Sequence, residues 1–334
     1  MRNEKKIKTF FLLMLLAIIL LSLLSLSLGD YSFNLEESLA FISGQADQGT
    51  RFILGDLRLP RILVCLLAGA SLGMSGVLLQ TFTRNPLADS ATLGVNAGAG
   101  IVITLAISWW EISDPGLILY LPFIAMLGGL ATVLVTYFIS HQTGQAISPA
   151  KVIISGVTLS TILSSSMIAI TGRVNQNKLT YVINWLAGKI TGNNWESLAL
   201  ASPILLLFWL AIYSRSHKLN ILSLNEELAL GLGLNVKRER QLLLALASGL
   251  VAFSLSLAGN ISFVGMLASH ISKRFLPGDH RLTLPASMLW GALIMLLADT
   301  ITRSFLIGSS IPTGIIISII GAPYFLYLLY RTQK

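Results

Sequence analysis

Charge is what this 334-residue chain has least of: Asp, Glu, Lys and Arg make up 11% of it, against roughly 25% in an ordinary soluble domain. With 54% hydrophobic residues, too little polar surface remains to cover a water-soluble globule. Cysteine is nearly absent. The single Cys65 lies in an apolar run, which excludes a disulfide framework and a cysteine-based metal site and leaves a packing role. The four histidines, His141, His217, His270 and His280, are far apart, so no shared metal site is expected. No phosphate-binding G-x-x-x-x-G-K-[ST] loop occurs, since Gly188-Lys189 is followed by Ile190, and no H-E-x-x-H occurs. The chain is therefore not expected to hydrolyse ATP or to be an enzyme. Its net charge of +8 comes from basic residues scattered among apolar runs, not gathered on an aromatic-interleaved face, so nucleic acid is not an expected partner.

What is present is a succession of apolar runs, each near the ~20 residues needed to cross a ~30 Å hydrocarbon core. Spans are expected at about 9–28, 60–82, 91–109, 117–140, 152–170, 198–213, 242–257, 261–275, 284–305 and 312–330. These give an all-α polytopic membrane protein of about ten helices, a single transmembrane domain over 1–334. The first run follows Arg2, Lys5, Lys6 and Lys8 like a signal peptide, but it is too long and lacks a small-residue cleavage site, so it is read as a retained span. Residues 30–57 are acidic and form an outer loop, and Trp109, Trp110, Glu111 and Asp114 form an aromatic and acidic outer rim. Residues 171–196 form a second outer loop holding a short helix near 179–187. On this layout 16 Lys/Arg lie inside and 7 outside, which places both termini in the cytoplasm.

Several local patterns invite a functional reading. Gly69, Ser71 and Gly73 spell G-x-S-x-G, but in mid-span, without a strand before it or His and Asp partners. The same glycines, extended by Ser75 and Gly76, make a small face on which helices pack closely in lipid. Asp299 and Arg303, at i and i+4, are expected to form an ion pair. Arg58 and Arg61 begin span two on the same outer side, as snorkelling anchors or as docking cations for an acidic partner. Inside, about 218–240, acidic residues lead a short apolar helix, then Gly231 and Gly233, then a basic cluster. A solvated loop would not explain Leu228, Ala229, Leu230 and Leu232, which need a protein surface to cover them. Asn260-Ile261-Ser262 fits a glycosylation sequon but is expected at a tight turn on the membrane edge.

Taken in order, RLPR at 58–61, GMSGVLLQ at 73–80, NPLADSATLGVNAGAG at 85–100, EELALGLGLNV at 226–236, ISFVGMLASHI at 261–271, DHR at 279–281, LLADTITR at 296–303 and IPTGIIISIIGAPYFLYLL at 311–329 cover nearly the whole chain. In these the chain resembles the membrane-spanning permease of an iron-siderophore and cobalamin type (FecCD-type) ABC importer. The resemblance implies the type II ABC importer permease fold, a second permease, identical or paralogous, two ATPase subunits that bind the ATP and Mg, and an extracytoplasmic substrate-binding protein. It implies that Arg58, Arg61 and Arg303 dock the binding protein. It places Asn225, Glu226, Glu227, Leu228, Ala229, Leu230, Gly231, Leu232 and Gly233 in the segment that couples to the ATPase. The fifth and tenth spans would line the pathway, with Ser155, Thr158, Ser160 and Thr161 as polar lining. No cofactor is implied on this chain, and the bacterial cytoplasmic membrane is the expected location.

Relatives often have Gly-Pro where this chain has Gly259-Asn260 and Pro-His where it has Ser269-His270, and Ser90 also replaces a common proline. Loss of the first two prolines frees backbone donors and is expected to straighten both ends of span eight. Ferric siderophore is the expected cargo, with cobalamin and haem as alternatives. The rival from another class, an ion-coupled secondary transporter, would need ionisable groups near the bilayer midplane, whereas most charges here fall at span ends. A membrane enzyme would need clustered acids, bases or metal ligands.

Overall fold

Backbone amides in a hydrocarbon layer must find partners inside the protein, and the apolar runs do so as helices. The computed structural model describes residues 2–29, 33–110, 115–140, 149–190, 194–224, 226–276, 278–305 and 311–332. Along them run α1 (Arg2–Ser27), α2 (Leu35–Ile42), α3 (Gln48–Arg51), α4 (Leu59–Thr83), α5 (Val95–Trp109), α6 (Pro115–Ser140), α7 (Pro149–Thr171) and α8 (Gln176–Leu186). They continue as α9 (Trp195–Tyr213), α10 (Ser216–Leu222), α11 (Glu226–Gly231), α12 (Val236–Ala258), α13 (Val264–Phe275), α14 (His280–Phe305) and α15 (Thr313–Thr332). A π-helical turn at Phe52–Arg58 joins α3 to α4, and a 3-10 turn at Ala91–Leu93 precedes α5. No strand occurs among the described residues.

Eight stretches among the described residues are long and apolar enough to cross a membrane: α1, the continuous α3 to α4 stretch, α6, α7, α9, α12, α14 and α15. They fall on eight of the ten expected runs. The other two differ from expectation. α5 has 15 residues and α13 only 12, so at 1.5 Å per residue they reach about 22 and 18 Å, short of a full crossing. α12, by contrast, begins six residues earlier than the 242 expected, because the Asn235 side chain caps it by accepting from the Arg238 N–H at 3.1 Å.

The centre of the bundle is α4, the most enclosed of the spans, packed against α14, α12 and α13. Its small face is the reason. A Cβ added at Gly69 would lie 2.4 Å from the Gly291 carbonyl oxygen, one at Gly73 2.1 Å from that of Ser287, and one at Gly76 2.1 Å from that of Gly265. Backbones meet directly there, as in small-residue packing in lipid. Ser71, the would-be nucleophile, accepts a hydrogen bond from Trp209 Nε1 at 2.9 Å.

The two short helices start inside the protein, at chain breaks whose polar groups are satisfied by neighbours. Gly259, at φ +82, turns the chain off α12, and Phe263 stands at φ +70 before α13. The Phe263 N–H donates to Asp89 Oδ2 at 2.9 Å, and Asn96 Nδ2 donates to Asn260 Oδ1 at 2.9 Å. The donor that a proline here would lack is used: Asn260 N–H donates to Trp185 O at 2.8 Å. Span eight is thus sharply bent at its start, not straightened, although α13 runs unbroken through Ser269 and His270. Gly259 is buried in the bundle beside Gly188, and Asn260 is half-buried. Irregular backbone at membrane depth is tolerated where protein encloses it.

Candidate functional site

Three regions carry the residues singled out by sequence. At the end of the bundle where α4 starts, Asp299 is fully buried on α14 and collects both neighbouring arginines. Arg61 donates to it from Nε at 3.0 Å and Nη2 at 2.9 Å, Arg303 from Nε at 3.0 Å, and Thr313 Oγ1 adds a bond at 3.1 Å. The expected i, i+4 pair is present, and Arg61 joins it from α4. Among the described residues, two guanidiniums thus meet on one carboxylate. Arg58 is apart from this triad: it is 7% exposed, donates from Nη1 to Leu26 O, and lies over the Phe33 ring at 4.9 Å. Arg303 also reaches the Ser25 side chain, so α1 is tied to the same corner.

At the opposite end of α4, roughly 37 Å away for its 25 residues, the chain builds a clamped protrusion. Glu226 pairs with Arg240 at 3.1 Å, and Glu239 receives Arg215 at 2.7 Å and Lys218 as well. Arg84 Nη2 donates to Leu224 O at 3.0 Å, and Asn220 Nδ2 donates to Asp279 Oδ1 at 2.8 Å. His280 then bridges Asn220 Oδ1 through Nδ1 at 2.7 Å and Thr81 through Nε2 at 2.9 Å. These bonds fasten α10 and α11 to α4, α12 and α14. The Asn220 bond, aided by the Arg281 N–H, holds the Asp279 carboxyl below the usual aspartate range. On the protrusion Ala229 is buried, while Leu228, Leu230 and Leu232 are 59%, 57% and 63% exposed. Gly233 turns the chain at φ +78 into α12. Asn225 lies outside the described residues.

The proposed lining residues all lie on α7 but do not share one environment. Thr158 and Thr161 are exposed and donate back to Ile154 O and Val157 O, which leaves no bare donor on an apolar face. Ser160 is half-buried against the 3-10 turn, donating to Gly156 O at 2.7 Å and Ala91 O at 3.4 Å, and Ser155 is also half-buried. Sequence reasoning missed a cavity of about 480 Å³ where the α8 end, the Gly259 turn and the α15 start converge, with Asn260, Ser262 and Ser318 as its polar groups. The signal was available in glycine: Gly188, Gly259 and Gly314 approach one another there, with the Gly314 N–H donating to Gly188 O at 3.1 Å. Among the described residues no three of His, Cys, Asp and Glu gather as a metal-holding group.

A family model described as the FecCD transport family matches residues 15–331. The chain belongs to that family. This permease is 32% identical to the iron(3+)-hydroxamate import system permease protein FhuG of Bacillus subtilis (strain 168), over 95% of each chain. It is 34% identical to the Fe(3+)-citrate import system permease protein YfmE of the same organism, over 98% of this chain and 96% of the other. A solved structure described as an inward-facing conformation of a metal-chelate type ABC transporter superposes with a TM-score of 0.81 at 31% identity, over 97% of this chain and 99% of that one. The protein is thus a multi-pass permease subunit of an ABC importer with the type II permease fold. ATP is hydrolysed by separate subunits, and the family works with a substrate-binding protein and a second permease chain.

Proposed function

We propose that this permease carries a ferric siderophore across the bacterial cytoplasmic membrane, with both termini on the cytoplasmic side. One observation favours iron chelates over cobalamin. The iron-hydroxamate and Fe-citrate relatives match this chain from end to end, whereas the cobalamin permease BtuC of Halobacterium salinarum, at 35% identity, matches 83% of this chain and 73% of its own length. In a strain lacking the permease, restoring the gene should restore uptake of labelled ferric siderophore and leave cobalamin uptake at background. Restoration of cobalamin uptake alone would overturn the cargo assignment.

The protrusion of α10 and α11 is the ATPase contact. Exposed leucines on a helix fixed by ion pairs need a partner surface, and the Asn220, His280 and Arg84 bonds make the protrusion move as one body with α4 and α14. ATP-driven closure of the ATPases is thereby passed to the spans, switching the permease between outward-open and inward-open states. Gly231→Pro, at the end of α11, should leave ATP hydrolysis running without transport, and normal coupling in that variant would count against the assignment.

At the other end, Arg61 and Arg303, gathered on Asp299, are the cations that meet the acidic lobes of an extracytoplasmic binding protein. Arg58, being buried, contributes to the field and not by contact. Arg61→Gln and Arg303→Gln should each weaken binding-protein affinity about tenfold, in the range of a charged contact worth 1–2 kcal/mol. Thermal unfolding measured in parallel separates this from loss of the Asp299 pairing. Unchanged affinity with a lowered melting temperature would reduce the arginines to a structural role. The pathway runs between two permeases past α7 and α15, with Ser155, Thr158, Ser160 and Thr161, and the Asn260 cavity, as its polar surface.

A further inference from the structure

A second cavity, of about 430 Å³, opens beside the protrusion, where the ends of α4 and α13 meet the start of α14. Gln80, Thr81, Arg84, Lys273, Asp279 and His280 contribute to its wall. Its charge balance is uneven. Arg84 and Lys273 bring two cations, and no carboxylate among the described residues lies within ion-pair distance of either. Asp279 is already engaged by Asn220 Nδ2 at 2.8 Å and by the Arg281 N–H at 2.9 Å. Among the described residues Arg84 donates to a neutral carbonyl, Leu224 O, and Lys273 Nζ to a neutral amide, Gln80 Oε1 at 2.9 Å.

Gln80 supplies an independent sign. It is 3% exposed, it lines the cavity, and with its oxygen turned to Lys273 its Nε2 is buried without a partner among the described residues. An unsatisfied buried donor costs about 1–3 kcal/mol, and a half-buried ammonium with one neutral acceptor adds to that. One ligand type relieves all three groups: an oxyanion with several acceptor oxygens, which can take the Lys273 ammonium, the Arg84 guanidinium and the Gln80 amide together.

Two residues along from Lys273, Phe275 is 58% exposed and stacks on Phe10 at 5.8 Å and on Trp290 at 6.1 Å. Lys273 and Arg274 lie in the last turn of α13 and Arg281 in the first turn of α14, so the cavity stands where apolar stretches give way to charge, at headgroup depth. Basic pockets between spans at that depth hold anionic headgroups. We propose that this cavity binds a phosphate group with a net negative charge, one not neutralised by a cation on the same headgroup as it is in phosphatidylcholine. The nearest source is a phospholipid headgroup; free phosphate is the other.

The test uses the assembled importer, permeases with their ATPases, stripped of lipid in neutral detergent. Thermal unfolding is followed with phosphatidylglycerol, phosphatidylcholine or inorganic phosphate added. Phosphatidylglycerol should raise the melting temperature by about 3 °C or more over phosphatidylcholine. Lys273→Gln and Arg84→Gln should abolish that difference, while Lys273→Arg and the exposed neighbour variant Arg274→Gln retain it. An equal shift from inorganic phosphate, lost in the same two variants, would support the site with the free anion as its source. Equal shifts from both lipids, or a phosphatidylglycerol shift that survives Lys273→Gln and Arg84→Gln, would overturn the proposal. So would a shift seen only after the ATPases are removed, since one of their side chains would then fill the cavity. If Lys273→Gln does not fold, the exposed Arg84 carries the test.

Discussion

At Gly73 the hydrogen of a glycine is all the room there is. An added methyl would stand 2.1 Å from a backbone oxygen of α14, whose Ser287 hydroxyl already donates to Gly73 O at 2.6 Å. Gly73→Ala is expected to destabilise by roughly 1–3 kcal/mol through overpacking, seen as a lowered melting temperature. Gly231→Ala, with nothing within 4 Å, should not change it. Asp299→Asn would strand Arg61 and Arg303 around a neutral amide, and loss of one partner of a buried pair costs about 3–5 kcal/mol. The double variant with Arg61→Gln should lose less than the sum of the two single variants, by equilibrium unfolding. Asp279 gives a pH signature. Its carboxyl is held low, so its contribution is present above the unfolded value of about 3.9 and is lost as pH falls through the lower folded value. Asp279→Asn should flatten melting temperature against pH below about 4 relative to wild type.

Among the elements, α11 makes the sharpest contrast between what holds it and what it shows. Its charged residues are tied down and its leucines are bare. Leu228→Ser with Leu230→Ser should leave the melting temperature of the permease unchanged, because both side chains are already exposed, and should reduce co-purification of the ATPase several-fold. The apolar residues of this segment were legible in the sequence because leucine has no business in a solvated loop. The clamp was not: Asn220 lies 59 and 60 residues before the adjacent Asp279 and His280 and meets them only in the fold. α5 and α13 are shorter than the expected runs for a related reason. Hydropathy counts apolar residues, and the runs 91–109 and 261–275 are rich in them, but it does not register that Gly94 and Gly259 turn the backbone or that Asp89 and Asn96 bond the broken ends.

At the scale of the whole molecule, the isolated chain leaves apolar flanks bare on α1, α6 and α9 as well as on α7 and α15. Ile154, Ile162 and Ile168 of α7 and Ile319 and Leu326 of α15 are all more than half exposed, with Thr158 and Thr161 among them. A second permease laid against α7 and α15 would cover this flank and enclose the hydroxyls. Thr161→Cys treated with a short bis-maleimide in native membranes should give a cross-linked permease pair. The background is low because Cys65, the only cysteine, is buried. Monomer alone after complete labelling would argue against the pairing.

The sequence by itself determined that this protein lives in a membrane, since 54% hydrophobic and 11% charged residues admit no other solvent for most of its surface. It also determined the family, whose motifs are local strings read in order. Tertiary structure decided what the charges do. Arg61 and Asp299 stand 238 residues apart in the chain, and only the packing of α4 on α14 gathers Arg61, Asp299 and Arg303 into one cluster. The same holds for Lys273 and Gln80: a charge becomes a site when the fold chooses its neighbours, and pairing in a low-dielectric interior is a matter of distance in space, not along the chain.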